Sequence, residues 1–282
     1  MSKTIALKMG LAMAFFIPTT GIYSQLASRK LEAVDTYDTK RPIIFSDDFK
    51  GDLRKWELSI DALYTPEQRP LSSPLVKIVP ADDGIPGKMA VRFEVPGTPG
   101  TFRSEIALPA EQGLHDRWYA ERVMVPTVPT DEAGYIVMQW HAVMGEAALT
   151  SRNFPNLAIW IDGDEWTIRR AVGTPLNIKR DVKPLHTFAE PGKWTDWVVH
   201  AKWSKGDDGE IQIWQNGVLV WDVKGPNCYS ELPTDYTPYL KTGIYRSSRK
   251  ETTNSEEPTV VYVSDVKIGS ANATYKIMAP GH

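Results

Sequence analysis

The chain has 282 residues, of which 42% are hydrophobic and 24% are charged, and its formal net charge is -3. This balance allows a sizeable folded core and argues against a general nucleic-acid binder, which needs a strongly basic surface. The single cysteine, Cys228, excludes an intrachain disulfide framework. Packing of apolar side chains must therefore supply the stability of the fold.

The N-terminal segment has the pattern of a secretory signal. Its first residues are basic, and the apolar run that follows, Met9–Ile17, is too short for a membrane span, which needs about 20 apolar residues. We therefore predict a signal peptide over residues 1–28, a linker over 29–42 and a folded domain over 43–282. The protein would be secreted or periplasmic, without stable membrane insertion. The alternative is an uncleaved N-terminal anchor or a lipid-free N-terminal tail.

From residue 43 onward, short extended runs rich in β-branched and aromatic residues alternate with turn signals. Between two of these runs, Asn216-Gly217 predicts a two-residue hairpin, because a type I′ turn needs φ above zero at both positions. The runs show no repeat and no long amphipathic helix. We therefore predict an all-β fold, a β-jelly roll formed by a concanavalin-like sandwich of two antiparallel sheets.

The predicted strand 136–141 carries polar side chains on one face. Because alternate side chains along a strand point to the same side, Val137, Gln139 and His141 share a face. The other three residues of the strand form an apolar face. For this strand alone, a solvent-facing polar pair is a sufficient explanation.

Two further runs present polar side chains in the same way. In residues 102–106, Arg103 and Glu105 share a face. In residues 239–246, the shared face holds Tyr239, Lys241, Gly243 and Tyr245. If the three faces line one sheet, they form a basic groove that contains two groups able to move protons. Gly243 would leave room for a ligand to approach the backbone.

These three segments resemble the jelly-roll polysaccharide lyases, a superfamily that includes alginate lyases, glucuronan lyases and heparin lyase I. The blocks that carry the resemblance are Arg103-Ser104-Glu105, Gln139-Trp140-His141 and Tyr239-Leu240-Lys241-Thr242-Gly243-Ile244-Tyr245, in family order. The Trp of the second block is closer to the glucuronan and heparin lyase branch than to typical alginate lyases. The resemblance covers roughly residues 90–270.

The resemblance implies β-elimination, in which the C5 proton of a uronate is removed and the O4 glycosidic oxygen is expelled. Arg103 and Gln139 would neutralise the substrate carboxylate, and His141 and Tyr245 would transfer protons. Which of the last two is the base depends on whether elimination is syn or anti, and this stays open. The residues expected to bind substrate are Lys241, Tyr239, Arg246 and Glu105.

The expected partner is an acidic polysaccharide, bound by a monomer. We rank glucuronan or a related exopolysaccharide before alginate, and sulfated glycosaminoglycans last. The chemistry requires no cofactor. Some relatives hold a structural calcium, for which Asp47, Asp48 or Asp265 are the candidates here.

Two other functions fit a β-sandwich. A glycoside hydrolase would need two carboxylates flanking the scissile bond, and the sequence has no strand with acidic residues at alternate positions. A non-catalytic carbohydrate-binding module would account for the ten Trp and eleven Tyr residues, whose rings stack on sugars. It would not account for the three polar strands.

Overall fold

The fold is taken from a computed structural model, which describes residues 39–60, 74–82, 84–85, 87–97, 102–128, 134–144, 154–232, 235–246 and 257–280. All of them belong to one compact unit, Leu31–His282. The predicted signal peptide lies outside the described residues, as does most of the predicted linker. Within the described ranges, no helix is long and apolar enough to cross a membrane.

The described residues form seventeen strands and one short helix. The first six strands are β1 (Ile43–Asp47), β2 (Glu57–Ile60), β3 (Val76–Pro80), β4 (Met89–Val95), β5 (Arg103–Ala107) and β6 (Glu111–Gln112). The next six are β7 (Asp116–Met124), β8 (Tyr135–His141), β9 (Leu157–Asp162), β10 (Glu165–Thr174), β11 (Asn177–Phe188) and β12 (Trp194–Lys202). The last elements are β13 (Glu210–Gln215), β14 (Val218–Lys224), β15 (Tyr236–Thr237), β16 (Tyr239–Tyr245), β17 (Thr259–Gly269) and the helix α1 (Tyr275–Met278).

Two large antiparallel sheets contain nearly all of these strands, which confirms the predicted all-β sandwich. The front sheet has seven described strands in the order β11-β10-β9-β8-β16-β5-β2. The back sheet has eight, in the order β14-β13-β12-β7-β17-β4-β3, with β1 also paired to β17. The short strands β6 and β15 pair with each other. In the front sheet, β16 comes between β5 and β8, two strands far from it in sequence.

The core lies between the two sheets and is rich in tryptophan. Trp140, Trp166 and Trp197 are almost fully buried, and the rings of the last two meet edge to face with centroids 5.1 Å apart. Burial of apolar surface stabilises the fold, and each large aromatic side chain contributes a large buried area. These tryptophans therefore fill the core, and the aromatic count is not evidence for a sugar-binding surface.

The predicted hairpin is present between β13 and β14. Asn216 and Gly217 have φ angles of 48° and 87°, as a type I′ turn requires, and Gln215 pairs with Val218 across it. This turn fixes the register of the two strands at the edge of the back sheet.

A β-bulge in β8 corrects the face assignment made from simple alternation. Ile136 and Met138 pair with successive residues of β9, so Val137 is an extra residue on β8. Val137 belongs to the core between the sheets, whereas Ile136 pairs with Tyr245 and Trp160. Gln139 and His141 lie after the bulge and keep the predicted face, opposite the core residue Trp140.

Candidate active site

Three neighbouring strands of the front sheet bring the predicted site residues to its outer face. In the register, Tyr245 is opposite Arg103 and Lys241 is opposite Gln139. His141, at the end of β8, is opposite Tyr239. Alternate residues of β5 and β16, such as Ile106 and Ile244, point into the core, so the polar residues between them face outward.

Glu105 is the centre of a buried polar cluster in this face. It is 1% exposed, and its Oε2 accepts a hydrogen bond of 2.7 Å from Lys241 Nζ. Its Oε1 accepts a hydrogen bond from Gln139 Nε2, and Arg103 Nε lies 3.2 Å from Oε2. One carboxylate therefore orients groups from all three strands. Because both charges of the Glu105–Lys241 pair are buried, each depends on the other for compensation.

Arg103 and Tyr245 form the more exposed part of the site. The guanidinium carbon of Arg103 lies 4.6 Å from the centre of the Tyr245 ring, and 29% of the Arg103 side chain is exposed. Phe102 meets the Tyr245 ring edge to face, with centroids 6.0 Å apart. A planar cation is thus held against a tyrosine on a surface that a polymer can reach.

His141 is held in an orientation that suits a proton acceptor. Its Nδ1 lies 3.0 Å from the carbonyl oxygen of Ala142. Burial of the ring lowers the pKa of His141 to about 4, and the positive charges of Lys241 and Arg103 act in the same direction. The neutral ring then donates Nδ1–H to this carbonyl, which leaves the lone pair on Nε2.

The sequence of the chain matches the polysaccharide lyase family over residues 51–267. The chain belongs to this family. Three quarters of the sequence lie within the match, including the three strands of the site. The protein is therefore an enzyme of the polysaccharide lyase type. The two alternative functions, a non-catalytic carbohydrate-binding module and a glycoside hydrolase, no longer apply. A comparison with curated proteins gives no match.

Three solved structures with a similar fold are lyases. An endo-β-1,4-glucuronan lyase from the fungus Trichoderma reesei has a TM-score of 0.66 at 18% identity, covering 85% of this chain and 99% of that one. An exolytic alginate lyase from Zobellia galactanivorans has a TM-score of 0.54 at 10% identity, covering 79% and 96%. An alginate lyase from Pseudomonas aeruginosa has a TM-score of 0.51 at 17% identity, covering 77% and 99%. These likenesses confirm the jelly-roll fold.

Three residues predicted to bind substrate are buried in the lyase. Glu105 and Lys241 are 1% and 5% exposed and are bonded to each other, so they position neighbouring groups instead of presenting a surface. Arg246 is fully buried on the core side of the sheet, where its Nη1 donates to Thr259 Oγ1. The prediction of direct substrate contact by Arg246 is corrected on this ground. Tyr239 stays at the surface, with its ring centroid 6.0 Å from that of His141.

Gly243 was expected to leave room for a ligand, but the structure gives a different reason for a glycine at this position. Its φ is 130°, and a Cβ there would lie 2.3 Å from the backbone oxygen of Ser104. The pairing of β16 with β8 is also irregular between Thr242 and Tyr245. Glycine is therefore required by the close approach of β5 and by the bulge, and not by a ligand.

The three candidate residues for a structural calcium already have partners within the protein. Asp47 accepts hydrogen bonds from Phe49 N and Trp56 Nε1. Asp48 and Asp265 are paired with different lysines, Lys50 and Lys88, at 3.1 and 2.7 Å. Each carboxylate is thus already compensated within the protein. In the part of the chain that the structure describes, no three acidic, histidine or cysteine side chains are grouped to hold a metal ion.

Sequence reasoning did not single out two large residues on the same outer face, Trp160 of β9 and Arg169 of β10. Trp160 pairs with Ile136, and Arg169 pairs with Ala158, which pairs with Gln139. The signal that would have found them is the turn at Gly163, which fixes the register of the two strands. Alternation from that turn places Trp160, Asp162 and Arg169 on one face.

Proposed function

We propose that this lyase cleaves a glucuronate-containing polysaccharide by β-elimination on the outer face of the front sheet. The observation that carries the proposal is the Glu105 cluster, which fixes Arg103 and Gln139 between a neutral histidine and a tyrosine. Elimination next to a charged carboxylate needs that charge neutralised, because negative charge grows there as the C5 proton leaves.

Arg103 neutralises the substrate carboxylate. Its guanidinium is partly exposed and can form the two parallel hydrogen bonds that a carboxylate accepts. Gln139, which is 2% exposed and bonded to Glu105, adds an amide N–H from the floor of the site. The positive charge of Lys241 lies behind them and adds to the favourable potential.

His141 is the base and Tyr245 is the acid in this proposal. His141 Nε2 takes the C5 proton, the C–H electron pair forms the C4–C5 double bond, and the C4–O4 bond breaks. Tyr245 gives its hydroxyl proton to the departing O4. Ile136, opposite Tyr245, comes five positions before His141 on β8, and Gln139 lies between them. In glucuronate the C5 hydrogen and O4 are on the same face of the ring, so both groups would act on that face of a uronate bound above Gln139.

Glucuronan is the first candidate substrate, followed by alginate and then sulfated glycosaminoglycans. The glucuronan lyase matches with a TM-score of 0.66, against 0.54 and 0.51 for the two alginate lyases. The Trp140 between Gln139 and His141 favours the same branch. A sulfated polymer would call for more basic side chains around Arg103 than the three strands provide.

A substrate panel tests this proposal. Purified protein is incubated with glucuronan, alginate, heparin and hyaluronan, and the ultraviolet absorbance of an unsaturated uronate is followed. We expect the largest kcat/KM on glucuronan. A larger kcat/KM on alginate would reassign the substrate, and absence of the unsaturated product from every polymer would refute uronate elimination.

We also propose that the lyase acts outside the cytoplasm as a monomer. A polymeric substrate is met outside the cell, and the N-terminal pattern predicts export. Expression of the full chain in a bacterium, with N-terminal sequencing of the exported product and light scattering, tests both points. A product that keeps Met1 in the cytoplasmic fraction would refute export.

A further inference from the structure

The outer face of the front sheet continues beyond the proposed catalytic centre onto β9 and β10. Tyr245, Ile136 and Trp160 pair in succession across β16, β8 and β9. Directly paired residues share a face, so Trp160 lies on the same surface as Tyr245, two strand spacings or about 10 Å away. A polymer that crosses the strands at Tyr245 passes over this region.

Trp160, Arg169 and Asp162 form a compact cluster at this position. The guanidinium carbon of Arg169 lies 3.9 Å from the centre of the Trp160 ring. Arg169 Nη2 donates to both carboxylate oxygens of Asp162, at 2.7 and 2.6 Å. The ring and the carboxylate therefore fix the plane of the guanidinium from two sides.

The cluster keeps unused hydrogen-bonding capacity at a partly exposed position. Its two charged side chains are 37% and 33% exposed, for Arg169 and Asp162 respectively. Both hydrogen bonds to Asp162 leave from Nη2, so Nη1 is the end of the guanidinium that Asp162 does not use. Arg169 Nε and Trp160 Nε1 are buried, and among the described residues they have no hydrogen-bond partner. A partly exposed ion pair contributes little to stability, so stability alone is a weak reason for this arrangement.

The backbone nearby leaves space for the carboxylate of the cluster. A Cβ on Gly134 would lie 2.1 Å from Asp162 Oδ1 and 2.9 Å from the carbonyl oxygen of Ile161. The absence of a side chain at Gly134, next to the start of β8, thus lets Asp162 reach Arg169. The position of the Arg169–Asp162 pair therefore depends on β9, on β10 and on Gly134, the residue just before β8.

We infer that Trp160, Arg169 and Asp162 form a distal subsite that binds a second uronate residue of the same polymer. Arg169 binds the carboxylate of that residue through the part of its guanidinium not used by Asp162, and Asp162 accepts hydrogen bonds from sugar hydroxyls. This inference rests on the proposed function, because it takes a uronate polymer as the ligand. It adds the place at which the polymer is held away from the scissile bond.

A distal subsite has a defined kinetic signature. Its contacts are the same in the ground state and the transition state, so their loss raises KM and leaves kcat unchanged. This rise in KM must appear only with polysaccharide substrates long enough to reach from Tyr245 to Arg169. Short oligosaccharides that occupy the catalytic centre alone are insensitive to the subsite.

The test compares Arg169→Ala with Arg122→Ala. Arg122 is a matched control because it forms the same kind of cluster on the outer face of the back sheet, 2.9 Å from Asp196 and 5.2 Å from the Trp194 ring centre. With the polymer that wild type cleaves best, we expect Arg169→Ala to raise KM about tenfold, equivalent to about 1.4 kcal/mol. Its kcat should stay within about twofold of wild type, and Arg122→Ala should leave KM unchanged.

Arg169→Lys serves as the second variant in case Arg169→Ala fails to fold, since it keeps the charge and loses the planar fork. An intermediate rise in KM on the polymer, and none on the shortest cleaved oligosaccharide, supports the subsite. An unchanged KM for folded Arg169 variants, or an equal rise for Arg122→Ala, overturns it. Failure of the proposed function would show differently, as a wild-type protein that cleaves no uronate polymer.

Discussion

Glu105 holds the proposed active site together through a single buried carboxylate. It accepts hydrogen bonds from Gln139 and Lys241 and lies beside Arg103. None of these groups would keep its orientation if that charge were lost. The side chains of Arg103 and Lys241 would then repel each other and move towards solvent. The residue acts by positioning the groups that meet the substrate.

We expect Glu105→Gln to destabilise the protein by about 3–5 kcal/mol, because it leaves the ammonium of Lys241 buried without a counter-charge. Urea unfolding measures this loss. The double variant Glu105→Gln/Lys241→Met should recover part of the stability, since it removes both charges, but should not recover activity. Equal stability of the single variant and wild type would contradict the dependence of Lys241 on Glu105.

The lowered pKa of His141 predicts the acid limb of the rate profile. A base must be neutral to accept a proton, so on the acid side kcat/KM should fall only as pH drops through about 4 and should be level from there to neutral pH. A pH profile of kcat/KM with glucuronan checks this. His186→Gln, at an exposed histidine of β11, is the control and should leave the limb unchanged. A limb centred near the ordinary histidine pKa of about 6.5 would contradict the environment described for His141.

At the scale of single elements, two irregular strands shape the site. The bulge at Val137 turns Ile136 outward and leaves Gln139 and His141 in place, and the irregular pairing of β16 begins after Thr242. Alternation along a strand predicted the faces of Gln139, His141 and Lys241 correctly. It failed for Ile136 and Val137 because a bulge depends on the pairing partners, which the strand's own sequence does not contain.

Gly243→Ala should destabilise the protein by at least about 1–3 kcal/mol, the cost of a strained backbone, because φ is 130° and the new Cβ would meet the Ser104 oxygen. Gly51→Ala is the control, since a Cβ there has no atom within 4 Å. Urea unfolding of both variants measures the difference. Similar stabilities would show that β5 and β16 are not as close at Gly243 as described.

At the scale of the whole molecule, a buried carboxyl lies between the two sheets. Glu121 of β7 is 0% exposed, and its Oε1 accepts a hydrogen bond of 2.9 Å from Thr242 Oγ1 of β16. Burial raises the pKa of Glu121 well above its ordinary value. The folded protein therefore binds a proton at Glu121 that the unfolded chain releases, so this residue costs stability as pH rises above about 4.5.

Glu121→Gln removes that titration. The ordinary pKa of a glutamate carboxyl is 4.5. As pH increases from this value, the melting temperature of the variant minus that of wild type should rise, and it should level off above the raised pKa of Glu121. Thermal melts over a pH series measure it. Glu57→Gln, at an exposed glutamate of β2, is the control without such a trend. A difference that shrinks with increasing pH would contradict a raised pKa for Glu121.

The sequence predicted the fold class because short β-branched runs and turn signals are local features, as at Asn216-Gly217. It did not predict that β16 lies between β5 and β8, since such pairing joins residues more than 100 positions apart, as Lys241 and Glu105 show. The three family blocks predicted a shared site, and the register places them on neighbouring strands. The prediction that Arg246 contacts substrate did not apply the alternation of side chains along a strand, because Arg246 directly follows the outward-facing Tyr245 and therefore points into the core.

The most direct test of the account is the ultraviolet absorbance produced from glucuronan by wild type, Tyr245→Phe and Tyr239→Phe. Tyr239 is a second tyrosine on the same face of β16, next to His141, so its variant separates loss of the proton donor from loss of a substrate contact. We predict an unsaturated product with wild type and Tyr239→Phe, and less than a few per cent of the rate with Tyr245→Phe, which still binds the polymer. New reducing ends without this absorbance, or full activity of Tyr245→Phe, would contradict elimination with Tyr245 as the acid.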